Sequence, residues 1–324
     1  MIIKKGENLN ILITGGSGFI GTRLAENLLA DGHVVKIYDK IQSKKYPKLT
    51  TIGDVLDKEA LTKACKDIDI IYNLAAEHAD NVTPLSLYDE VNVGGAENII
   101  IVAKANYIKK IIFTSSVAIY GLDKGECNET YEPNPFNEYG RSKLKAEEVF
   151  IKWQKEDSSH MLFMLRPSAI FGESNRGNIY NLLKQVHSGK FLMVGKGDNK
   201  KSIGYVGNIA AFLTYLAEHK TAMEVYNFSD KPDMTSHEMV DFIQKELGRK
   251  NKIPTIPYTL GLLGGYAFDL LSKLTGKKFA VSSIRIKKFT ADTAINTDKL
   301  QNSSFKPPFT LQEGLSKTIK FEFL

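Results

Sequence analysis

Cysteine is scarce: Cys65 and Cys127 are the only two in the chain. That excludes a disulfide-stapled scaffold and a thiolate metal cage, and it fits a reducing compartment, so the expected location is the cytoplasm. His33, His78, His160, His187, His219 and His237 show no ligand spacing among themselves or with cysteine, so no bound metal is expected. Long hydrophobic runs are missing too. The greasiest stretch, residues 258–268, holds three glycines and is stopped by Asp269. It is too short to cross a bilayer, so no integral membrane segment is expected. It reads as a buried or lid-forming helix, with attachment to a membrane surface as the other option. Residues 1–7 lack the apolar core of a secretory signal. The net charge is +6, yet the lysines fall in short pairs (44–45, 109–110, 200–201, 277–278 and 287–288) and not in a basic block. Nucleic-acid binding is therefore not expected, whereas a mild positive field suits a substrate carrying phosphates.

What is present is a chain of 324 residues, 43% hydrophobic, long enough for a sizeable core. Its first half alternates short β-branched runs, at 10–14, 34–38, 70–73, 110–115 and 161–165, with helical patterns at 19–31, 58–64, 91–105 and 137–155. That alternation predicts an α/β fold with a doubly wound parallel sheet covered on both faces. Gly32 after Asp31 is placed to close the first helix. Beyond Arg166-Pro167 the pattern loosens into a helix at 178–188, a strand near 203–206, a helix at 208–218 and a strand at 224–228. Thr235-x-x-Glu238 and Thr310-x-x-Glu313 have capping-box spacing and predict two further helix starts.

The first strand runs into Thr14-Gly15-Gly16-Ser17-Gly18-Phe19-Ile20-Gly21 and then directly into a helix. Gly15 allows the tight turn, Gly18 lets a pyrophosphate approach the backbone, and Gly21 lets the helix pack close to the sheet. Asp39 ends the second strand, where a carboxylate accepts from the adenosine ribose hydroxyls and repels a 2′-phosphate, which argues for NAD over NADP. Lys40, Lys44 and Lys45 nearby weaken that preference. Gly53-Asp54-Val55 is placed either to meet the adenine or to form a turn with a helix cap. The expected organisation is a Rossmann-type NAD-binding domain over 1–171, rejoined by segments near 203–229, and a smaller, mainly substrate-binding domain over 172–324.

Tyr139 and Lys143 stand four residues apart in a helical segment, so their side chains share a face. A free phenol, with a pKa of about 10, is too weakly acidic to serve as a base near neutrality. A neighbouring ammonium favours the phenolate. Spacing alone leaves open an exposed Tyr and Lys with no shared role.

Taken in order, Thr14 to Gly21, Asn73-Leu74-Ala75-Ala76, Thr114-Ser115-Ser116, Tyr120-Gly121, Tyr139-x-x-x-Lys143 and Arg166-Pro167 through Gly172 make the chain resemble the extended short-chain dehydrogenases/reductases, in their nucleotide-sugar epimerase/dehydratase branch. The resemblance spans essentially the whole chain. It implies that Tyr139 is the general base or acid for the sugar hydroxyl, that Lys143 lowers its pKa and binds the nicotinamide ribose, and that Ser116 hydrogen-bonds the reacting oxygen. Ser115 is the neighbour nearer the cofactor. Phe19, Ile20, Leu74, Ala75, Ala76 and Pro167 are implied cofactor contacts, and Asn92 is implied as a structural asparagine. It also implies a homodimer through the helices at 91–105 and 137–155.

The branch includes epimerases, 4,6-dehydratases and 4-keto reductases. Dehydratases of this kind place an Asp-Glu pair directly after the serine or threonine position. Here Val117-Ala118 stand there and can neither donate nor accept a proton, so dehydration is disfavoured. A UDP-hexose or UDP-N-acetylhexosamine 4-epimerase is favoured slightly over a reductase of UDP-4-keto-6-deoxy-hexosamines. A non-catalytic dinucleotide-binding regulator is a third, weaker reading, because Ser116, Tyr139 and Lys143 are all present. For the diphosphate of the nucleotide-sugar substrate the resemblance points to Asn178 and Lys201, with Arg285 sharing the load since lysine lacks the bidentate fork of arginine. Glu77, His78 and Asp80 would touch the sugar or form a polar loop.

Overall fold

Short runs of Ile, Val, Leu, Tyr and Phe form β1 (Asn10–Thr14), β2 (Val34–Asp39), β3 (Thr50–Ile52), β4 (Ile70–Asn73), β5 (Lys110–Thr114) and β6 (Met161–Pro167). Between them run the helices α1 (Phe19–Ala30), α2 (Lys58–Ala64), α3 (Ser86–Asp89), α4 (Gly95–Ala105) and α5 (Glu138–Glu156). The rest of the chain adds β7 (Ala169–Phe171), α6 (Asn178–His187), β8 (Met193–Val194), β9 (Lys200–Lys201), β10 (Ile203–Tyr205), α7 (Val206–Tyr215) and β11 (Met223–Phe228). It ends with β12 (Met234–Thr235), α8 (Ser236–Glu246), β13 (Thr255–Ile256), α9 (Tyr258–Thr275), α10 (Ser283–Thr290), α11 (Asp298–Gln301) and α12 (Leu311–Phe323). This computed structural model describes residues 8–79, 82–122, 125–249, 252–276, 279 and 282–324; residues 1–7, Asp80 and the Lys277-Lys278 pair lie outside them.

Seven strands form one sheet in the order β11-β6-β5-β4-β1-β2-β3, and every neighbouring pair in it is parallel. The strand order reverses between β1 and β4, which opens a crevice at their carboxyl ends. One face packs against α1 and α7 through Leu24, Leu28, Ile209, Phe212 and Leu213. The other packs against α2, α4 and α5 through Leu61, Ile99, Val102, Phe150 and Trp153. A separate core among α6, α8, α12 and β10 gathers Leu183, Met239, Ile243 and Leu315.

Several sequence expectations hold in detail. Gly32 takes φ +91° directly after the Asp31 cap of α1, and both capping boxes form, at Thr235 and Thr310. β11 pairs with β6 along the edge of the large sheet.

Other elements differ. β3 carries two threonines on an exposed edge and gives no apolar signal. The helix expected from 91 begins at Ser86 and passes through a π-helical turn, Glu90–Gly94, before α4. Asn92 lies within that wider turn and bonds to the loop after β4 and to α5. The greasy segment is a helix, but not a buried one: only Gly261 and Gly265 of α9 are shielded from solvent. Small residues let the backbone approach the protein body, so the glycine face turns inward and the large apolar side chains turn out.

Phe212 lies with its ring centroid 5.0 Å from Phe305, 5.1 Å from Tyr226 and 5.7 Å from Phe228. Phe212→Ala should lower unfolding free energy by about 3–5 kcal/mol in urea titrations.

Candidate active site

The glycine loop sits at the switch point of the sheet. Gly15 has φ +71°, and a Cβ there would stand 2.7 Å from the Ala75 nitrogen, so the turn after β1 closes on the turn after β4 only with glycine in place. A Cβ on Gly21 would lie 2.5 Å from Gly16 Cα, which is how α1 starts so close to the loop. Thr14 Oγ1 donates to Asn73 Oδ1 at 2.8 Å and ties the two strand ends together. Asp39, from the end of β2, reaches across: its Oδ2 accepts from the Ser17 amide at 3.0 Å and its Oδ1 from Ile41 at 3.1 Å. Phe19 opens α1 beneath the Arg23 guanidinium, 4.8 Å from the ring centroid, and Ile20 packs partly buried against the core.

Leu74 and Ala75 pack on opposite faces of the sheet, with Ala76 partly buried beside them. Pro167 is buried at the end of β6, in register with Phe228. Asp54 accepts from the Leu56 amide at 3.0 Å and pairs with Lys40 at 2.9 Å, while the cap of α2 is Asp57. Val55 is buried, and its carbonyl accepts from Asn98 Nδ2 at 3.0 Å.

The reacting side chains are assembled by the N-terminus of α5. Asn137 caps that helix, its Oδ1 accepting from the Gly140 amide at 2.8 Å. A Cβ on Gly140 would stand 2.5 Å from the Ala118 carbonyl oxygen, so α5 presses against the short turn Val117–Ile119 that Ser116 caps. That contact brings the Tyr139 phenol beside the Ser116 hydroxyl, which favours its ionised form. Lys143, one turn on, is 2% exposed and holds its ammonium 4.5 Å from the Phe113 ring centroid.

Burial acts on both titratable groups. It pushes the Tyr139 phenol up from its usual range, against the opposing influence of the neighbouring Ser116 hydroxyl. It pushes Lys143 down to about 7, against the opposing charge of Glu147. For both groups desolvation works against the charged form, the phenolate and the ammonium alike.

Sequence reasoning identified Asn92 but missed its reach. Its Oδ1 accepts from the Glu77 amide at 2.8 Å, and its Nδ2 donates to the Glu77 carbonyl at 3.0 Å and to Ser142 Oγ at 2.8 Å. One amide thus clamps the loop after β4 to α5, beside the π-helical turn. Glu77 and His78 form that loop, with Glu77 Oε1 accepting from the His78 amide at 3.0 Å; Asp80 lies outside the described residues.

Also missed was a buried polar chain behind the site. Arg166 forks onto Glu147 at 2.9 and 2.6 Å and donates to the Tyr120 hydroxyl at 2.8 Å; that hydroxyl donates to Asn227 Oδ1 at 2.8 Å. The available signal was Glu147 following Lys143 by four residues on an apolar helix face.

Among the described residues, the buried hydroxyls of Thr114, Ser115, Ser168 and Ser229 have no hydrogen-bond partner. They lie at the carboxyl ends of β5, β6 and β11, the edge from which a bound dinucleotide would be contacted. Together with the glycine cradle they fit such a cofactor. Of the candidate diphosphate residues, Asn178 opens α6 in an exposed position. Lys201 donates to the carbonyls of Lys288 at 3.0 Å and Ala291 at 2.6 Å, fastening the end of α10. Arg285, exposed on α10, donates to the Phe279 carbonyl at 3.3 Å.

A dinucleotide cradle that opens onto a tyrosine able to exchange a proton is the working arrangement of short-chain dehydrogenases/reductases in their extended form. The model of the NAD dependent epimerase/dehydratase family matches residues 11–228, and the chain belongs to that family. It is 50% identical to the N-acetyl-alpha-D-glucosaminyl-diphospho-ditrans,octacis-undecaprenol 4-epimerase of Escherichia coli O157:H7, over 98% of this chain and 96% of that one. It is 30% identical to the UDP-glucose 4-epimerase of Vibrio cholerae, over 95% and 94%. In fold it resembles the Thermus thermophilus UDP-glucose 4-epimerase solved with NAD, at a TM-score of 0.76 and 20% identity, covering 97% of this chain and 98% of that chain.

Glu147→Gln leaves the Arg166 guanidinium buried against a neutral amide. It should cost about 3–5 kcal/mol in denaturant unfolding.

Proposed function

We propose that the protein is an NAD-dependent 4-epimerase of sugars carried on a diphosphate, nucleotide sugars such as UDP-hexoses and UDP-N-acetylhexosamines among them, working through a 4-keto sugar with Tyr139 as base. The supporting observation is the 50% identity, over nearly the whole chain, to an enzyme that epimerises C4 of a diphosphate-linked N-acetylglucosamine. That relative carries its sugar on a polyprenol, which favours a second reading in which the carrier is a lipid diphosphate.

NAD, held by the glycine loop and Asp39, would supply the hydride acceptor and donor for the sugar carbon and, when oxidised, a positive charge that favours the phenolate. The chain's own groups move the proton. Tyr139 takes it from the C4 hydroxyl as the ketone forms, Ser116 donates a hydrogen bond to the same oxygen, and Lys143 stabilises the phenolate when charged. After the keto sugar has turned its opposite face to the cofactor, Tyr139 returns the proton to the C4 oxygen. Asn178 and Arg285 hold the diphosphate while the hexose turns, joined by Lys201, whose ammonium also donates to the carbonyls of Lys288 and Ala291. Val117 and Ala118 form the turn after Ser116 and carry no acid or base for loss of water. The reading includes a homodimer through α4 and α5, supported by the exposure of Ile101 on α4, and a cytoplasmic location.

Incubation with UDP-, GDP- and dTDP-sugars should interconvert C4 epimers with no net change in nicotinamide absorbance; a stoichiometric change would mark a 4-keto reductase, and no conversion of any sugar a non-catalytic protein. Tyr139→Phe should lower turnover by roughly 100- to 10,000-fold while cofactor titrations shift little. Asp39→Ala should raise the affinity for NADP relative to NAD, read by competition binding; an unchanged ratio would remove the ribose contact.

A further inference from the structure

α9 is put together the opposite way from an ordinary surface helix. It is 18 residues long, about 27 Å at the usual rise. It lies on the protein through a glycine seam: a Cβ on Gly261 would stand 2.5 Å from Val194 Cγ1, and one on Gly265 2.8 Å from the Ser283 backbone. The side pointing furthest outward is a line of leucines, Leu260, Leu263, Leu270, Leu271 and Leu274, with Leu263 64% and Leu274 73% exposed. Ile284 of α10, the helix packed against α9, is also half exposed. The two charged residues of α9 lie off that line: the Asp269 carboxylate accepts from the Ser283 amide at 3.2 Å, and Lys273 sits at its border. Soluble monomers rarely expose an unbroken apolar patch of this kind without a use for it.

The rim of the patch is basic. Lys273, Arg285 and Lys287 are exposed around it, and the Lys287 ammonium stands 5.6 Å from the Tyr266 ring centroid. Leucines at the centre, tyrosine and cations at the edge, and a helix lying flat match a helix seated at the headgroup boundary of an anionic bilayer. Among the described residues no helix is long and apolar enough to cross a membrane. A second copy of the chain suits the patch less well, because its own lysines and arginine would face these. Lys201 fastens α10, and α10 lies against α9, so a membrane under α9 lies near the candidate diphosphate residues Lys201 and Arg285.

We propose that α9, with the exposed edge of α10, is a docking surface for anionic phospholipid membranes, on which the enzyme meets a sugar diphosphate carried by a lipid. The proposal rests on the 4-epimerase reading for its substrate and on the glycine-seamed helix for its surface.

The test uses the full chain with vesicles of phosphatidylethanolamine and phosphatidylglycerol, and vesicles of phosphatidylcholine alone, in co-sedimentation. The protein should bind the anionic vesicles more tightly. Leu263→Glu, Leu270→Glu and Leu274→Glu together should weaken that binding by at least about tenfold, given the apolar area withdrawn, with thermal unfolding and turnover of soluble UDP-sugars unchanged. A protein that stays in the supernatant, or a triple variant that binds as well as the parent, overturns the docking surface. So does a light-scattering result in which the parent self-associates, the variant does not, and neither binds vesicles. Turnover of soluble UDP-sugars by both proteins tests the epimerase reading apart from the vesicle result.

Discussion

Ser116 follows the end of β5 and Tyr139 lies past a long loop, and they meet because the first turn of α5 rests against a carbonyl of the Ser116 turn. Gly140 makes that distance possible: a Cβ there would stand 2.5 Å from the Ala118 oxygen. Any side chain would lift the helix and carry the phenol and Lys143 away from the carboxyl edge of the sheet. Asn92 holds the same helix from the other side through Ser142. The site is thus set by backbone approach first and side-chain chemistry second.

Behind it, the Arg166 chain gives α5 a fixed partner. Glu147 is 1% exposed and is met by both arms of the guanidinium. The same carboxylate is the charge that opposes the desolvation of Lys143. A group that looks purely structural therefore also keeps the lysine closer to its charged form, so the electrostatics of the reacting face are partly decided one helical turn below it.

The parts legible in the sequence are those whose constraints are local. Gly15, Gly18 and Gly21 are spaced by one turn and one helix start, Asp39 ends a recognisable strand, and Tyr139 and Lys143 share a face by helical period. The capping boxes at Thr235 and Thr310 are equally local. Arg166, Tyr120 and Asn227 were not legible as a unit because they are brought together across 46 and 107 residues of chain. β3 escaped notice because an exposed edge needs no apolar residues. The exposure of α9 was not legible for a related reason: its apolar content reads as burial, whereas glycine decided which side turned in. The titration of Tyr139 depends on how deeply the phenol is withdrawn from water, which spacing does not encode.

The parallel sheet has a consequence for how the polypeptide is made. β6 ends at Pro167, but its outer neighbour β11 is not supplied until Met223–Phe228. While a nascent chain leaves the ribosome, the open amide and carbonyl edge of β6 stays unpaired until α6 and α7 have followed it out. Such an edge is a template for intermolecular pairing. The emerging protein is therefore most open to chaperone capture or aggregation over this stretch of synthesis.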